Sequence, residues 1–191
     1  MTSQLKKNIS NYISITDFEL NQFCNLFTKK TIKKKEFILQ QGEVCRFEAY
    51  INKGLFSVYR VDENGQNKVL YFALEDWWIT DIDSFINQTT SHLYIQALEK
   101  SEVLFISKEN KEYAYENFPF VEKLFRKMTQ KTHVALQNRM IETLSKTADE
   151  RYLDFLLKYP SLSQRLTNIQ IAAYLGVTHE FLSRIKKKVN T

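Results

Sequence analysis

The chain has 191 residues, 27 basic against 22 acidic, and a formal charge of +5. It is long enough for one large domain or two modest ones, and basic enough to meet an anionic polymer, although charge alone names no partner. Two cysteines, no signal peptide and no apolar run near twenty residues argue against a disulfide scaffold and a membrane span and predict a reduced, cytoplasmic setting, while four glycines and two prolines leave little room for flexible linkers.

Residues 16–27, TDFELNQFCNLF, put acids in a first turn ahead of apolar residues at helical spacing and predict a short amphipathic helix. Lys29, Lys30, Lys33, Lys34 and Lys35 form the densest basic run. It directly precedes the apolar EFILQ, so it reads as solvated lysines protecting a turn and a strand edge rather than as a nucleic-acid patch. Cys24 and Cys45 read as small buried hydrophobes.

From Glu36 to Ser107 the apolar period changes to two. Phe37–Gln40, Glu48–Asn52, Leu55–Val61, Lys68–Leu74, His92–Leu98 and Val103–Ser107 are candidate strands, punctuated by Gly42, Asn52-Lys53-Gly54 and Asp62-Glu63-Asn64-Gly65. Many short strands with such turns predict an antiparallel β-roll or jelly roll. Between two of them lies Glu75–Thr90, with adjacent Trp77 and Trp78 and a helix-like DIDSFI. The insertion would cover the mouth of a small roll, and the tryptophans fit either core packing or the wall of a pocket.

Helical texture returns at residue 108. Pro119 suits the first turn of a long helix to about residue 146. Val121, Phe125, Met128, Thr132, Ala135 and Arg139 form one near-heptad stripe, and Leu136, Met140 and Leu144 a second rotated from it. Two stripes predict two partners: a second copy of the chain, met through Val121, Phe125, Met128, Thr132 and Ala135 as a short coiled coil, and the chain's own domains; the alternative is a single helix buried within one chain. Ala148–Tyr159 is a further amphipathic helix, stopped by Pro160.

Leu166–Lys188, LTNIQIAAYLGVTHEFLSRIKKK, is the most informative stretch. Thr167 and Gln170 form a capping box, Ile171, Ala172 and Leu175 recur at helical spacing, Gly176 supplies a left-handed stop, and Val177 plugs the turn. Thr178 caps a second helix whose Leu182, Ile185 and Val189 face inward, while His179, Glu180, Ser183, Arg184 and Lys187 lie on the opposite face. Two short helices about a glycine turn, the second donor-rich and basic, are a helix-turn-helix able to enter a major groove. Arg184 suits guanine, Glu180 a cytosine amino group, and Lys186, Lys187 and Lys188 the phosphates.

In this order, EFILQQGEVCRFEAYINKGLFSVYRVDENGQNK, YIQALEKSEVLFISKE, ERYLDFLLKYP and IQIAAYLGVTHEFLSRIKKK resemble the Crp/Fnr superfamily of bacterial transcription regulators over nearly the whole chain. The resemblance implies an α+β protein: a cyclic-nucleotide-binding-like β-roll over residues 1–117, a connecting and dimerisation helix over 118–146, and a helix-turn-helix domain over 147–191. It implies base reading by His179, Glu180 and Arg184 with Ser183 beside them, and phosphate contacts by Thr167, Gln170, Thr178 and Lys187. It also implies a homodimer on double-stranded DNA, with RNA polymerase as a candidate partner and no enzymatic activity.

The departures carry their own expectations. Cyclic-nucleotide-binding relatives hold the ribose with a Gly-Glu pair and the phosphate with Arg-Ser or Arg-Thr; the corresponding places here read Thr80-Asp81 and Ser91-His92. Loss of the guanidinium fork, about 1.5–3 kcal/mol as a charge-assisted bond, predicts weak or no cyclic AMP binding. The candidate ligand pocket is then Trp77, Trp78, Thr80, Asp81, Ser91 and His92, open to an unnamed small-molecule effector. No N-terminal cysteine cluster is present for an iron–sulfur centre, and His92, His133 and His179 fall in separate elements, so neither metal nor haem is expected. With the recognition helix so close to Thr191, a β-hairpin wing is expected to be absent. Three other functions stay open: a constitutive DNA-binding protein with a structural roll, a cupin-like enzyme, for which the roll lacks clustered His and carboxylate ligands, and a module whose basic terminus binds an acidic protein.

Overall fold

The computed structural model describes residues 2–189. By the density of its internal contacts the chain divides into two units. One comprises the residues up to Val58 with Phe72–Thr132, the other Tyr59–Tyr71 with the residues from His133 on.

The first unit opens with α1 (Ser3–Ser10) and α2 (Asp17–Cys24). In α1, Leu5 and Ile9 stand one turn apart and are fully buried, an anchor too short to stand out in the polar QLKKNIS. The start of α2 is fixed by a capping box in which Thr16 accepts from the Glu19 amide and Glu19 reaches back to the Thr16 amide.

Among the described residues eight strands follow: β1 (Thr28–Ile32), β2 (Phe37–Leu39), β3 (Phe47–Lys53), β4 (Phe56–Val61), β5 (Asn67–Ala73), β6 (Trp78–Ile79), β7 (Tyr94–Ala97) and β8 (Ser101–Ser107), with Tyr59–Tyr71 of β4, β5 and their turn assigned to the second unit. They form two four-stranded sheets of order β1-β8-β3-β6 and β2-β7-β4-β5, with β8 antiparallel to both β1 and β3. Tyr50, Leu104 and Ile106 cover one face of the first sheet and join a core with α1, α2, α4 (Lys108–Asn117) and the start of α5 (Pro119–Ser145). Their strand neighbours Ala49, Ile51 and Val103 are also fully buried, on the opposite face, as a sheet closed into a roll requires.

The basic run differs from its expected place beside a strand. Lys29 and Lys30 belong to β1 itself, an edge strand, where Lys29 pairs with Glu102 at 2.6 Å and Lys30 lies over the Phe105 ring. Lysines on an edge strand deter pairing with a second chain. Cys24 and Cys45 are both buried free thiols, and burial pushes the Cys24 thiol up to about 11.

A buried ion pair fastens α4 to the first sheet. Lys111 meets Glu48 at 2.5 Å, and its ammonium lies 4.0 Å from the centre of the Phe125 ring. Desolvation lowers the pKa of Lys111, and the Glu48 carboxylate opposes that shift.

The second unit contains the far half of α5, then α6 (Ala148–Lys158), α7 (Pro160–Arg165), α8 (Asn168–Leu175) and α9 (His179–Val189). Pro160 does end α6, but it also occupies the first turn of α7, a position where its missing N–H costs nothing. Tyr152, Phe155, Leu162, Ile171, Ala172, Leu175, Leu182 and Ile185 are buried residues of this unit.

Gly54 joins β3 to β4 with φ +119°, and a Cβ there would stand 2.0 Å from Ser101 Oγ and 2.9 Å from Ser101 Cα. Because the obstruction includes backbone, Gly54→Ala is expected to cost at least about 2 kcal/mol in urea denaturation. A loss below about 0.5 kcal/mol, the range of a neutral surface change, would contradict this account.

Candidate functional site

The end of the second unit carries the most completely built surface. Thr167 Oγ1 accepts from the Gln170 amide, and Gln170 Oε1 accepts from the Thr167 amide at 2.8 Å, so α8 starts on a reciprocal cap. Gly176 ends it at φ +70°, and the Val177 amide donates back to the Ala172 carbonyl at 3.0 Å. Thr178 Oγ1 then accepts from the Phe181 amide at 3.2 Å and opens α9. Leu182 and Ile185 are buried, while His179, Glu180, Arg184, Lys187 and Lys188 are exposed. Alternation between the two sets at spacings of three and four gives one anchored face and one exposed polar face.

That exposed face has internal order. Ser183 Oγ donates to the His179 carbonyl, and the Arg184 guanidinium lies 5.1 Å from the centre of the Phe181 ring. A hydrogen bond from its own backbone amide, then one from the Thr178 hydroxyl, holds the Glu180 carboxyl below its usual range, so it is a ready acceptor. Two of the lysines expected at phosphates are engaged within the chain: Lys186 donates to Asn168 Oδ1 at 2.9 Å, and Lys188 pairs with Asp149 at 2.6 Å. The inward place expected for the Val189 side chain and the expected absence of a wing both fall outside the described residues.

In the roll, the structure brings together only part of the expected pocket. Asp81, 6% exposed, caps α3 (Ile82–Asn87) through the Ser84 amide and accepts from the Ser91 hydroxyl at 2.6 Å. Thr80 Oγ1 donates to the Phe47 carbonyl, and His92 is exposed. Trp78 lies elsewhere, among Phe27, Tyr50 and Phe125, with its indole N–H on Asn8; Trp77 is partly exposed. A buried carboxylate that already holds the neighbouring hydroxyl does not fit an anionic phosphate. Among the described residues no group of three His, Cys, Asp or Glu comes together to hold a metal ion, and no helix is long and apolar enough to cross a membrane. A groove of about 510 Å³ in this unit has a lining that includes Lys30, Phe37, Arg46, Phe47 and Phe105.

Helix α5 corrects one expectation. Val121, Phe125 and Met128, read as facing a second chain, are buried in the core of the first unit. They are already covered by their own chain. Thr132 and Ala135 are exposed, but the apolar surface lies further along on Val134, Leu136, Met140, Ile141 and Leu144, each more than half exposed.

The residue hidden from the sequence is Arg139, which falls on an otherwise apolar stripe. Its Nη2 donates to the Val69 and Tyr174 carbonyls, both at 3.0 Å, and its guanidinium stacks 4.0 Å from the Tyr174 ring centre. A lone arginine in such a stripe is the signal that marks it.

Residues 29–117 match the cyclic nucleotide-binding domain family. Among solved structures, the chain is similar to FixK2 from Bradyrhizobium japonicum, at 20% identity over 86% of this chain and 84% of that one, with a TM-score of 0.75. It is similar to the c-di-GMP-responsive global regulator CLP of Xanthomonas campestris, at 13% identity over 92% of each chain, with a TM-score of 0.77. A third structure, from Eubacterium rectale and assigned to the Crp/Fnr family, shares 16% identity over 94% of this chain and 88% of that one, with a TM-score of 0.72. Among curated proteins none matches.

The Asp81–Ser91 pair generates a stability test. Asp81→Ala removes the α3 cap and leaves the Ser91 hydroxyl only its longer bond to the Leu93 carbonyl at 3.3 Å, for an expected loss of about 1–3 kcal/mol. Asp81→Asn, which keeps an acceptor, is expected to lose less in the same denaturant titration.

Proposed function

We propose that this chain, which carries a cyclic nucleotide-binding domain on the fold of Crp/Fnr regulators, is a DNA-binding transcription regulator of that type and not an enzyme. The observation that carries the reading is the exposed face of α9: a helix anchored by Leu182 and Ile185, presented by a glycine turn, with His179, Glu180 and Arg184 exposed together. Those side chains match the donors and acceptors that major-groove base edges require. Arg184 reads guanine, Glu180 accepts from a cytosine amino group, and His179 and Ser183 adjust the fit. Thr167, Gln170 and Thr178 stand at helix starts, where backbone N–H groups favour phosphate, and Lys186, Lys187 and Lys188 add charge along the backbone. Lys186 and Lys188 must exchange Asn168 and Asp149 for phosphate to do so.

One short helix reads few base pairs, so the functional species is a homodimer that presents two readers to half-sites about 34–36 Å apart. Its contact is the apolar run of Val134, Leu136, Met140, Ile141 and Leu144, with Thr132 and Ala135 beside it. The exposure of these residues supports this. The setting is the cytoplasm and RNA polymerase is the downstream partner.

Cyclic AMP is not the effector. Ser91 and His92 stand at the places where relatives grip an anionic phosphate with a guanidinium, and the Ser91 hydroxyl is already given to the Asp81 carboxylate of the ribose-side pair. An effector of the roll is therefore a different molecule. The same pair favours a second reading, a constitutive regulator whose roll is structural. A thermal-shift screen of small metabolites separates the two: a stabilising compound supports an effector-gated protein, and its absence supports the constitutive one.

Selection of bound sequences from random duplex DNA is expected to return a dyad-symmetric operator. On that operator Arg184→Ala is expected to cost about 1–3 kcal/mol and to relax preference at one base pair in each half-site. Full selectivity in the variant would remove Arg184 from the reading set. Cyclic AMP at about a hundred times a micromolar Kd would stabilise a true binder by about 2.7 kcal/mol, so no shift of the melting midpoint is expected here.

A further inference from the structure

We propose that the second unit holds a binding site for a small oxyanion, a carboxylate or phosphate compound of a few carbons, in the cavity lined by Arg139 and Arg151. The cavity has a volume of about 210 Å³ and lies within that unit, bounded by the tip of the β4–β5 hairpin, α5, α6 and α8. It is smaller than the roughly 300–1,000 Å³ of sites for drug-sized ligands, which suits a small acid and excludes a nucleotide.

The charge balance around it is incomplete. Arg139 gives its Nη2 to the Val69 and Tyr174 carbonyls, and Arg151 gives Nη1 to the Lys146 carbonyl and Nη2 to the Leu175 carbonyl. Carbonyls satisfy N–H groups and leave the charge of each guanidinium unneutralised. The two carboxylates on the cavity wall are drawn to other cations: Asp154 pairs with Lys146 at 2.6 Å, and Glu142 with Lys158 at 3.9 Å. Arg139 Nη1 is buried without any hydrogen-bond partner, the one such side-chain nitrogen or oxygen among the described residues. A buried charged donor left unmade is costly; Nη1 has almost no exposed surface, so a small turn of the guanidinium toward the adjoining cavity is needed, after which an oxyanion removes that cost by a charge-assisted bond. Phe155, Tyr159, Ala173 and Tyr174 supply the wall for a short carbon skeleton.

Occupancy has a structural reach, because the carbonyls already held by the two arginines belong to Tyr174 and Leu175, the last residues of α8 before Gly176. An anion bridging the guanidiniums fixes the end of α8 and with it the turn into α9. Binding is independent of the reading of the chain as a regulator; only the consequence for DNA rests on that reading.

The test is calorimetric titration of the full chain, without DNA, with sodium phosphate, acetate, succinate and citrate, against sodium chloride at matched ionic strength. Saturable binding by at least one probe is expected, and comparison of phosphate with the carboxylates identifies the class. Two variants locate it. Ala173→Leu fills the cavity and leaves both guanidiniums in place, and Arg139→Lys keeps a charge and loses the fork; each is expected to weaken binding about tenfold or more. The site is overturned if no probe saturates by about 10 mM, far above a useful Kd, or if a variant with an unchanged circular dichroism spectrum binds as the parent does. Anion binding that persists in a chain without operator affinity would count against the regulator and leave the site standing.

Discussion

A single helix has to satisfy two environments, and the rest of the structure follows from how it does so. Helix α5 is 27 residues long, roughly 40 Å at 1.5 Å per residue. Its first turns bury Val121, Leu124, Phe125 and Met128 beneath α1 and the first sheet, while its later turns leave Val134, Leu136, Met140, Ile141 and Leu144 open. An apolar stripe this exposed is costly in water unless something covers it, so the helix sets both what the first unit needs for its core and what the chain lacks when alone.

Buried polar groups, rather than apolar contacts alone, then specify the details. Glu48 takes Lys111 on one side of the first sheet, and Asp81 takes Ser91 beneath α3. In both cases a charged or hydroxyl group far from water meets a polar side-chain partner. Such matches tolerate replacement of both groups better than loss of one. The same rule makes Arg139 stand out in the second unit, where two carbonyls and a tyrosine ring hold most of the guanidinium and one nitrogen is left over.

What was legible in the sequence was whatever is encoded locally. The helix-turn-helix lies within two dozen residues, so the Thr167–Gln170 cap, Gly176 and Thr178 each declare themselves beside their partners. The alternation of β3, β4 and β8 and the first turn at Pro119 were readable for the same reason. Strand β1 was not, because TKKTI becomes a strand only by pairing with β8, more than sixty residues on. Nor was the duty of Arg139, whose acceptor Val69 is 70 residues away. The inner face of α5 was misassigned because a heptad stripe looks alike whether a second chain or a neighbouring helix covers it. Periodicity gives the stripe and leaves its occupant to the tertiary fold.

The two cysteines carry a practical consequence. Cys24 and Cys45 are both in the first unit, both nearly without exposed surface, and neither is bonded to the other. A thiol that is sheltered, and in the case of Cys24 also poorly ionised, meets an alkylating reagent only when its surroundings open. Counting labelled thiols over time therefore turns the chain into its own clock for breathing of the first unit, with Cys24 at the end of α2 and Cys45 two residues before β3 as separate hands.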